Sequence, residues 1–224
     1  MAVLLSDERV RASQALKPSP FVDTLVAVIC LSCGGAASGA LCRLCRGGLA
    51  AGGERRLPGG VLVRSAFVHR GPARTLVHRL KYGALPAAAV PLAAGMRELV
   101  GDEVSALVAV PRVRLRCWRY GVDPAVELAW ALGRLLRLPV VNALDPGWWH
   151  RRRAGGPEAR RGRPRFRPLV EGSEGFVLVD DVVTTGTTLR AAAVALRGAR
   201  LAVTGTAAPV AARSLPERRR YSDW

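Results

Sequence analysis

Lysine is nearly absent from this chain. Only Lys17 and Lys81 occur among 34 basic residues, and the rest are arginine. Neither lysine follows a glycine, so no G-x-x-x-x-G-K-[ST] loop exists and a P-loop nucleotidase is excluded. Aromatic residues make up only 5% of the chain, so its core must be built mainly from Ala, Val and Leu. Few rings are left for stacking on bases. The three histidines, His69, His78 and His150, have no metal-ligand spacing and read as surface or packing residues. A long apolar run is also missing. Leu25–Leu31 is short, is preceded by Asp7, Glu8 and Asp23, and runs into Gly/Ser-rich sequence. That pattern argues against a signal peptide and against a membrane span. No internal repeat covers the chain.

What is present supports a folded protein. Half of the 224 residues are hydrophobic, and Gly (24) and Pro (15) together stay below the low-complexity range. The length suits one main domain with a small appendage. Acidic residues number 17 against 34 basic, a formal charge of +17. Such a surface implies a polyanionic partner, either nucleic acid or a phosphorylated substrate. The plainer reading is compositional, since an Ala-, Gly- and Arg-rich chain is what a GC-rich genome writes at neutral surface sites.

Four of the five cysteines fall together as Cys30-x2-Cys33-x8-Cys42-x2-Cys45, and Cys117 stands alone. Gly34-Gly35 and Gly47-Gly48 follow the two pairs and leave backbone N–H groups free to face sulfur. Four thiolates in a small loop-rich unit suit a structural Zn²⁺ in a reducing, cytoplasmic compartment. The alternative is two buried pairs of reduced cysteines. Residues 1–24 read as a loose leader, 25–50 as the four-cysteine unit, 51–60 as a linker, 61–210 as the main domain and 211–224 as a frayed basic tail.

From Val61 onward, strand-like and helix-like segments alternate. Strands are expected at Val61–His69, Ala106–Val110, Pro139–Ala143, Phe176–Val179 and Leu201–Ala207. Helices are expected at Pro72–Lys81, Ala87–Val100, Asp123 to about Arg137, and Thr188–Arg197. Apolar strands interleaved with helices predict an α/β fold: a parallel sheet covered on both faces, preceded by the four-cysteine unit. Trp148–Pro168 carries eight arginines and a single acid, Glu158, without apolar period. It reads as an exposed loop.

The most informative stretch is Phe176-Val-Leu-Val-Asp180-Asp181-Val-Val183-Thr184-Thr185-Gly186-Thr187-Thr188. A buried strand ends in two carboxylates, then a hydroxyl/Gly loop leads into a helix. Ligands bind at the carboxyl ends of parallel strands. The helix start offers free N–H groups, Gly186 allows close backbone approach, and the threonines add hydroxyls. Together these can cradle a phosphate, while the two acids can accept hydrogen bonds from a vicinal diol or help to hold Mg²⁺.

The stretch resembles the 5-phosphoribosyl-1-pyrophosphate (PRPP) signature of type I phosphoribosyltransferases. The resemblance implies that Asp180 and Asp181 hold ribose hydroxyls and that Val183–Thr188 bind the 5′-phosphate. The tetracysteine ahead of such a domain, with Leu80-Lys81-Tyr82-Gly83 and Val110-Pro111, resembles the ComF family, cytoplasmic bacterial proteins named for competence and DNA uptake. By the same resemblance, Pro111 and Arg112, with Arg114, Arg116 and Arg119, form the pyrophosphate side. Lys81 joins them there, or else serves as a cation at a helix C-terminus.

The chain departs from the family pattern at residues 119–125 and 148–168, and Thr184 stands where purine-salvage relatives place an acid. The implied reaction is displacement of pyrophosphate from ribose C1, with Mg²⁺, onto an acceptor that the sequence does not identify. The alternative is a non-catalytic competence accessory that binds single-stranded DNA or a DNA-uptake helicase. For that role Trp118, Tyr120, Trp148 and Trp149 lie beside arginines.

Overall fold

The computed structural model describes residues 29–83, 85–147, 164–170, 174–208 and 213–214. The expected leader, most of the arginine-rich loop with Trp148, Trp149 and His150, and most of the basic tail lie outside the described residues.

A short helix, α1 (Arg43–Gly47), closes the cysteine unit. There follow β1 (Gly53–Arg56), β2 (Leu62–Val68), α2 (Gly71–Tyr82), α3 (Ala89–Met96), β3 (Ala106–Ala109), α4 (Arg114–Tyr120) and α5 (Pro124–Leu136). The chain continues through β4 (Leu144–Asp145), β5 (Arg167–Pro168), β6 (Phe176–Val183), α6 (Thr187–Ala195), β7 (Leu201–Ala207) and β8 (Arg213–Ser214). Six strands form one sheet in the order β3-β6-β7-β2-β1-β8. The pairs β3/β6, β6/β7 and β7/β2 are parallel, whereas β1 runs antiparallel to both β2 and β8.

The parallel centre follows from its sequence. Ala106–Ala109 is buried throughout and Val177–Val179 is buried in a row, as strands covered on both faces require. Alternation divides β6 between two cores. Val177 and Val179 join Leu76, Leu80, Leu92, Leu128 and Leu132 of α2, α3 and α5 on one face. Leu178 joins Leu189, Ala192 and Leu196 of α6 and its C-cap on the other. Gly95 lets α3 approach β2, since a Cβ there would lie 2.3 Å from the Phe67 ring.

Three expectations are revised. Residues 53–56, read as linker, form β1, because Arg55 and Arg56 pair with Val63 and Leu62 across a turn at Pro58–Gly60. Pro139–Ala143 forms no strand of the sheet. It runs beside β3 with one bridge, Leu107 to Val140, and two backbone bonds, from Leu107 N–H to Pro139 and from Val141 N–H to Leu107. Arg213–Ser214, within the expected frayed tail, pairs with β1 as β8.

The cysteine unit is not a separate appendage. Cys30, Leu31, Leu41 and Cys45 are buried in the same core as Leu76 and Val77 of α2. No helix among the described residues is long and apolar enough to cross a membrane.

Candidate functional site

The carboxyl end of β6 carries Asp180 and Asp181 on opposite sides, as the period of a strand dictates. Asp181 is 6% exposed and lies on the α2 side. Its Oδ1 accepts Lys81 Nζ at 2.9 Å, and Arg112 Nη2 stands 4.0 Å from Oδ2. Lys81 belongs to the last turn of α2, and Arg112 follows β3. Arg112 Nη1 also donates to the Lys81 carbonyl at 3.5 Å, which ties the two cations together.

Asp180 is half-buried and accepts the Asp181 N–H at 2.8 Å. Burial, then the neighbouring Asp181 carboxylate, raise the Asp180 carboxyl well above its ordinary range, against the opposing pull of Lys81. No ion pair reaches Asp180 among the described residues. A diol hydroxyl or a divalent cation fits that oxygen-only, electron-rich position.

The loop after β6 leads into α6. Gly186 is the N-cap with φ +76°, the left-handed region that favours glycine. The Thr185 and Thr187 hydroxyls bond at 2.9 Å, and Thr187 N–H donates to Thr185 Oγ1 at 3.4 Å. Thr184, Thr185 and Thr188 are exposed. The free N–H groups and hydroxyls of this loop can receive a phosphate.

Polar groups buried in the sheet support the site from below. Thr206 Oγ1 donates to the Asp181 carbonyl at 3.2 Å and lies 3.0 Å from His69 Nδ1. Thr204 Oγ1 donates to the Thr206 carbonyl at 3.2 Å and pairs with Ser65 Oγ at 2.7 Å. Burial, then the charge of Lys81, lower His69 below its ordinary pKa and favour the neutral ring.

The arginine-rich segment after Pro111 is only briefly a loop. Residues 114–120 form a helix, α4. Arg114 Nη2 pairs with Asp145 Oδ1 at 3.2 Å, and Arg119 sits 5.7 Å from the centre of the Tyr120 ring. The Arg116 side chain lies outside those described. Of the candidate pyrophosphate cations whose side chains are described, Lys81 and Arg112 are the two brought to Asp181.

Asp123 organises this corner. Its Oδ2 accepts Arg112 N–H at 2.8 Å and the Cys117 thiol at 3.5 Å, and its Oδ1 caps α5 through Ala125 N–H at 3.2 Å. Burial raises the Asp123 carboxyl above its ordinary range, opposed by the Arg112 N–H bond. Burial, then the Asp123 charge, push the Cys117 thiol up to about 12, so it is a packing residue without thiolate character. The Asp-Pro cap signal was legible in the sequence, but its grip on Arg112 was not.

Arg55 and Leu57 are further residues that sequence reasoning missed. Arg55 Nη2 donates to the Thr184 carbonyl, and a Cβ on Gly186 would lie 2.5 Å from Leu57 Cδ2. The only sequence signal was the position of a short arginine pair ahead of a Pro-Gly-Gly turn.

The four cysteine sulfurs lie within 4.8 Å of one another. Cys33 and Cys42 Sγ are 3.8 Å apart. A tetrahedron with Zn–S bonds of about 2.3 Å has an edge of about 3.8 Å, so the donor set fits zinc. Gly35 N–H donates to Cys33 Sγ at 3.4 Å and Cys45 N–H to Cys42 Sγ at 3.5 Å. Burial opposes the Cys30 thiolate, but hydrogen bonds from surrounding backbone bring it to about 6. Burial and the neighbouring thiols push Cys45 up to about 12.

Residues 158–224 match the model of the phosphoribosyl transferase domain. None of the curated proteins matches this sequence. Among solved structures, the chain is similar to the UMP synthase of Leishmania donovani at 22% identity and a TM-score of 0.33, covering 57% of this chain. It spans about a fifth (22%) of the length of that chain. The interval matched by the family model contains the paired acids, the threonine loop, α6 and β7, and is the phosphoribosyltransferase-like part of a mixed, mainly parallel α/β sheet.

Proposed function

We propose that the chain binds PRPP and transfers its phosphoribosyl group to an acceptor, as a cytoplasmic protein of the ComF type. The observation that carries this reading is the meeting of Lys81 Nζ with Asp181 at 2.9 Å, directly before the Thr-Gly loop. A cation pair, a diol-binding acid and a phosphate loop thus share one strand end. They match the three polar parts of PRPP.

In this reading the loop Val183–Thr188 anchors the 5′-phosphate. Asp180 and Asp181 accept the ribose hydroxyls. Lys81 and Arg112, backed by Pro111, take charge from the leaving pyrophosphate, and guanidinium forks suit its oxygens. Held at both ends, the sugar presents C1 to the acceptor in a fixed orientation, and the departing charge is met by cations already in place. Mg²⁺, held beside Asp180 with the pyrophosphate, would supply further charge neutralisation. Zn²⁺ on Cys30, Cys33, Cys42 and Cys45 has a structural role.

Calorimetric titration of Mg²⁺-PRPP into the intact protein and into an Asp180→Asn/Asp181→Asn variant tests the reading. Saturable binding that disappears in the variant is expected. No binding by a folded, zinc-loaded wild type overturns it.

A second reading rests on exposed rings. Trp118 is 84% exposed and Tyr82 60%, and Arg112 and Arg119 lie over Tyr120. Rings interleaved with guanidinium groups suit single-stranded nucleic acid, as a competence accessory or helicase partner would require. Such binding would weaken steeply with salt.

A further inference from the structure

The phosphate loop has a back wall that comes from a distant part of the chain. β1 is fixed beside β2 by the pairing of Arg55 with Val63 and of Arg56 with Leu62. Arg55 and Leu57 are two residues apart, and both meet the loop. Leu57 packs behind Gly186, and Arg55 donates through Nη2 to the Thr184 carbonyl. The Arg55 Nε–H is buried and has no hydrogen-bond partner among the described residues.

We propose that Arg55 is a positioning residue of the phosphate cradle, pinning the peptide unit between Thr184 and Thr185 so that its N–H is aimed and polarised toward a bound phosphoryl group. The inference rests on the reading of Val183–Thr188 as a phosphate seat. No peptide bond among the described residues is cis. A trans peptide directs its N–H opposite to its C=O. Holding the Thr184 carbonyl on the β1 side therefore turns the Thr185 N–H to the other side, away from Leu57 and Arg55.

The charge adds a second effect. A cation bonded to a carbonyl strengthens the N–H of the same peptide unit as a donor. Among the described residues the Nε–H is unmatched, which leaves the guanidinium charge incompletely satisfied behind the loop. An anion seated in front of the loop would offset that charge. A neutral residue at position 55 would leave the loop in place, held by Leu57, but without this bias.

The test uses two probes, ribose 5-phosphate and inorganic pyrophosphate, titrated separately by calorimetry into wild type, R55M, R55K and the Asp180→Asn/Asp181→Asn variant. R55M is expected to bind ribose 5-phosphate about tenfold more weakly or worse, the loss of one charge-assisted hydrogen bond. R55K should recover most of that loss. Neither variant should change pyrophosphate affinity, and the R55M melting temperature should stay near that of wild type. Wild-type affinity for ribose 5-phosphate in R55M overturns the proposal. So does an equal loss for both probes that Lys does not rescue, since a merely structural clamp would behave in that way. A wild type that does not bind ribose 5-phosphate overturns the phosphate-seat reading and this proposal with it, whereas binding that weakens in the double Asn variant places the sugar on Asp180 and Asp181 with its phosphate at the loop. The wild-type and double-variant titrations thus separate the two failures. If R55M does not fold, R55Q, which keeps a donor without the charge, is read for the same split between the two probes.

Discussion

Lys81 Nζ lies 2.9 Å from Asp181 Oδ1, joining the end of α2 to the end of β6. Both groups are largely buried, with side chains 20% and 9% exposed. Removing one partner of a buried pair leaves an uncompensated charge, although Arg112 at 4.0 Å remains on the other oxygen. Lys81→Met is therefore expected to lower stability by about 1–3 kcal/mol, read from urea unfolding. It should weaken pyrophosphate binding more than ribose 5-phosphate binding. Equal losses for the two ligands would place Lys81 away from the leaving group.

Asp180 sets a pH dependence. Its folded pKa is raised, so between the ordinary aspartate value and the folded one the native state holds a proton that the unfolded chain has lost. By linkage, stability falls as pH rises through that window. Asp180→Asn removes the effect. Urea midpoints of the variant and wild type should agree near pH 4 and diverge toward pH 8, with the variant the more stable. A variant that is less stable at pH 8 would show that Asp180 is held by a cation.

The cysteine unit shares the main core through Leu31 and Leu41, so loss of a zinc ion held there should be felt by the whole domain. One zinc per chain is expected by elemental analysis. Chelation, or Cys33→Ser, should lower the thermal midpoint by more than about 5 °C, because metal-binding energy is folding energy in such a unit. An unchanged midpoint after metal loss would reduce the four thiols to packing residues.

Gly186 meets two demands at once, a φ of +76° and the closeness of Leu57. Gly186→Ala is expected to cost about 1–3 kcal/mol of stability and to weaken ribose 5-phosphate binding. Adding Leu57→Ala relieves the contact but not the backbone strain. The double variant should therefore bind ribose 5-phosphate more weakly than Leu57→Ala alone. Equal affinity would show that the strain does not reach the loop.

Much of the fold was legible in the sequence, because its signals are local. Burial in the run Val177–Val179 and in Ala106–Ala109 is a property of consecutive residues, and it marked the parallel centre of the sheet. Asp180-Asp181 and the threonine loop are contiguous, so their placement at a strand end followed from the strand alone. The C-x-x-C pairs likewise carry their geometry in their spacing, and the four sulfurs do converge.

Contacts between distant segments could not be read in that way. The sequence left Lys81 open between a helix-end cation and a ligand group, and the packing of α2 against the sheet brought it to Asp181. Arg112, Arg114 and Arg119 are alike in composition. They separate because Asp123 holds the Arg112 backbone while Asp145 engages Arg114. Residues 53–56 looked like a linker, since four residues have no periodicity strong enough to reveal a strand. Pairing with β2 is what makes them one, and it is what carries Arg55 to Thr184. The sequence by itself determined the layered α/β core, the paired acids with the threonine loop that follows them, and the clustering of four thiols. Only the tertiary structure decided which cations face Asp181 and what backs the loop, because those choices depend on chain segments that meet only when the sheet closes.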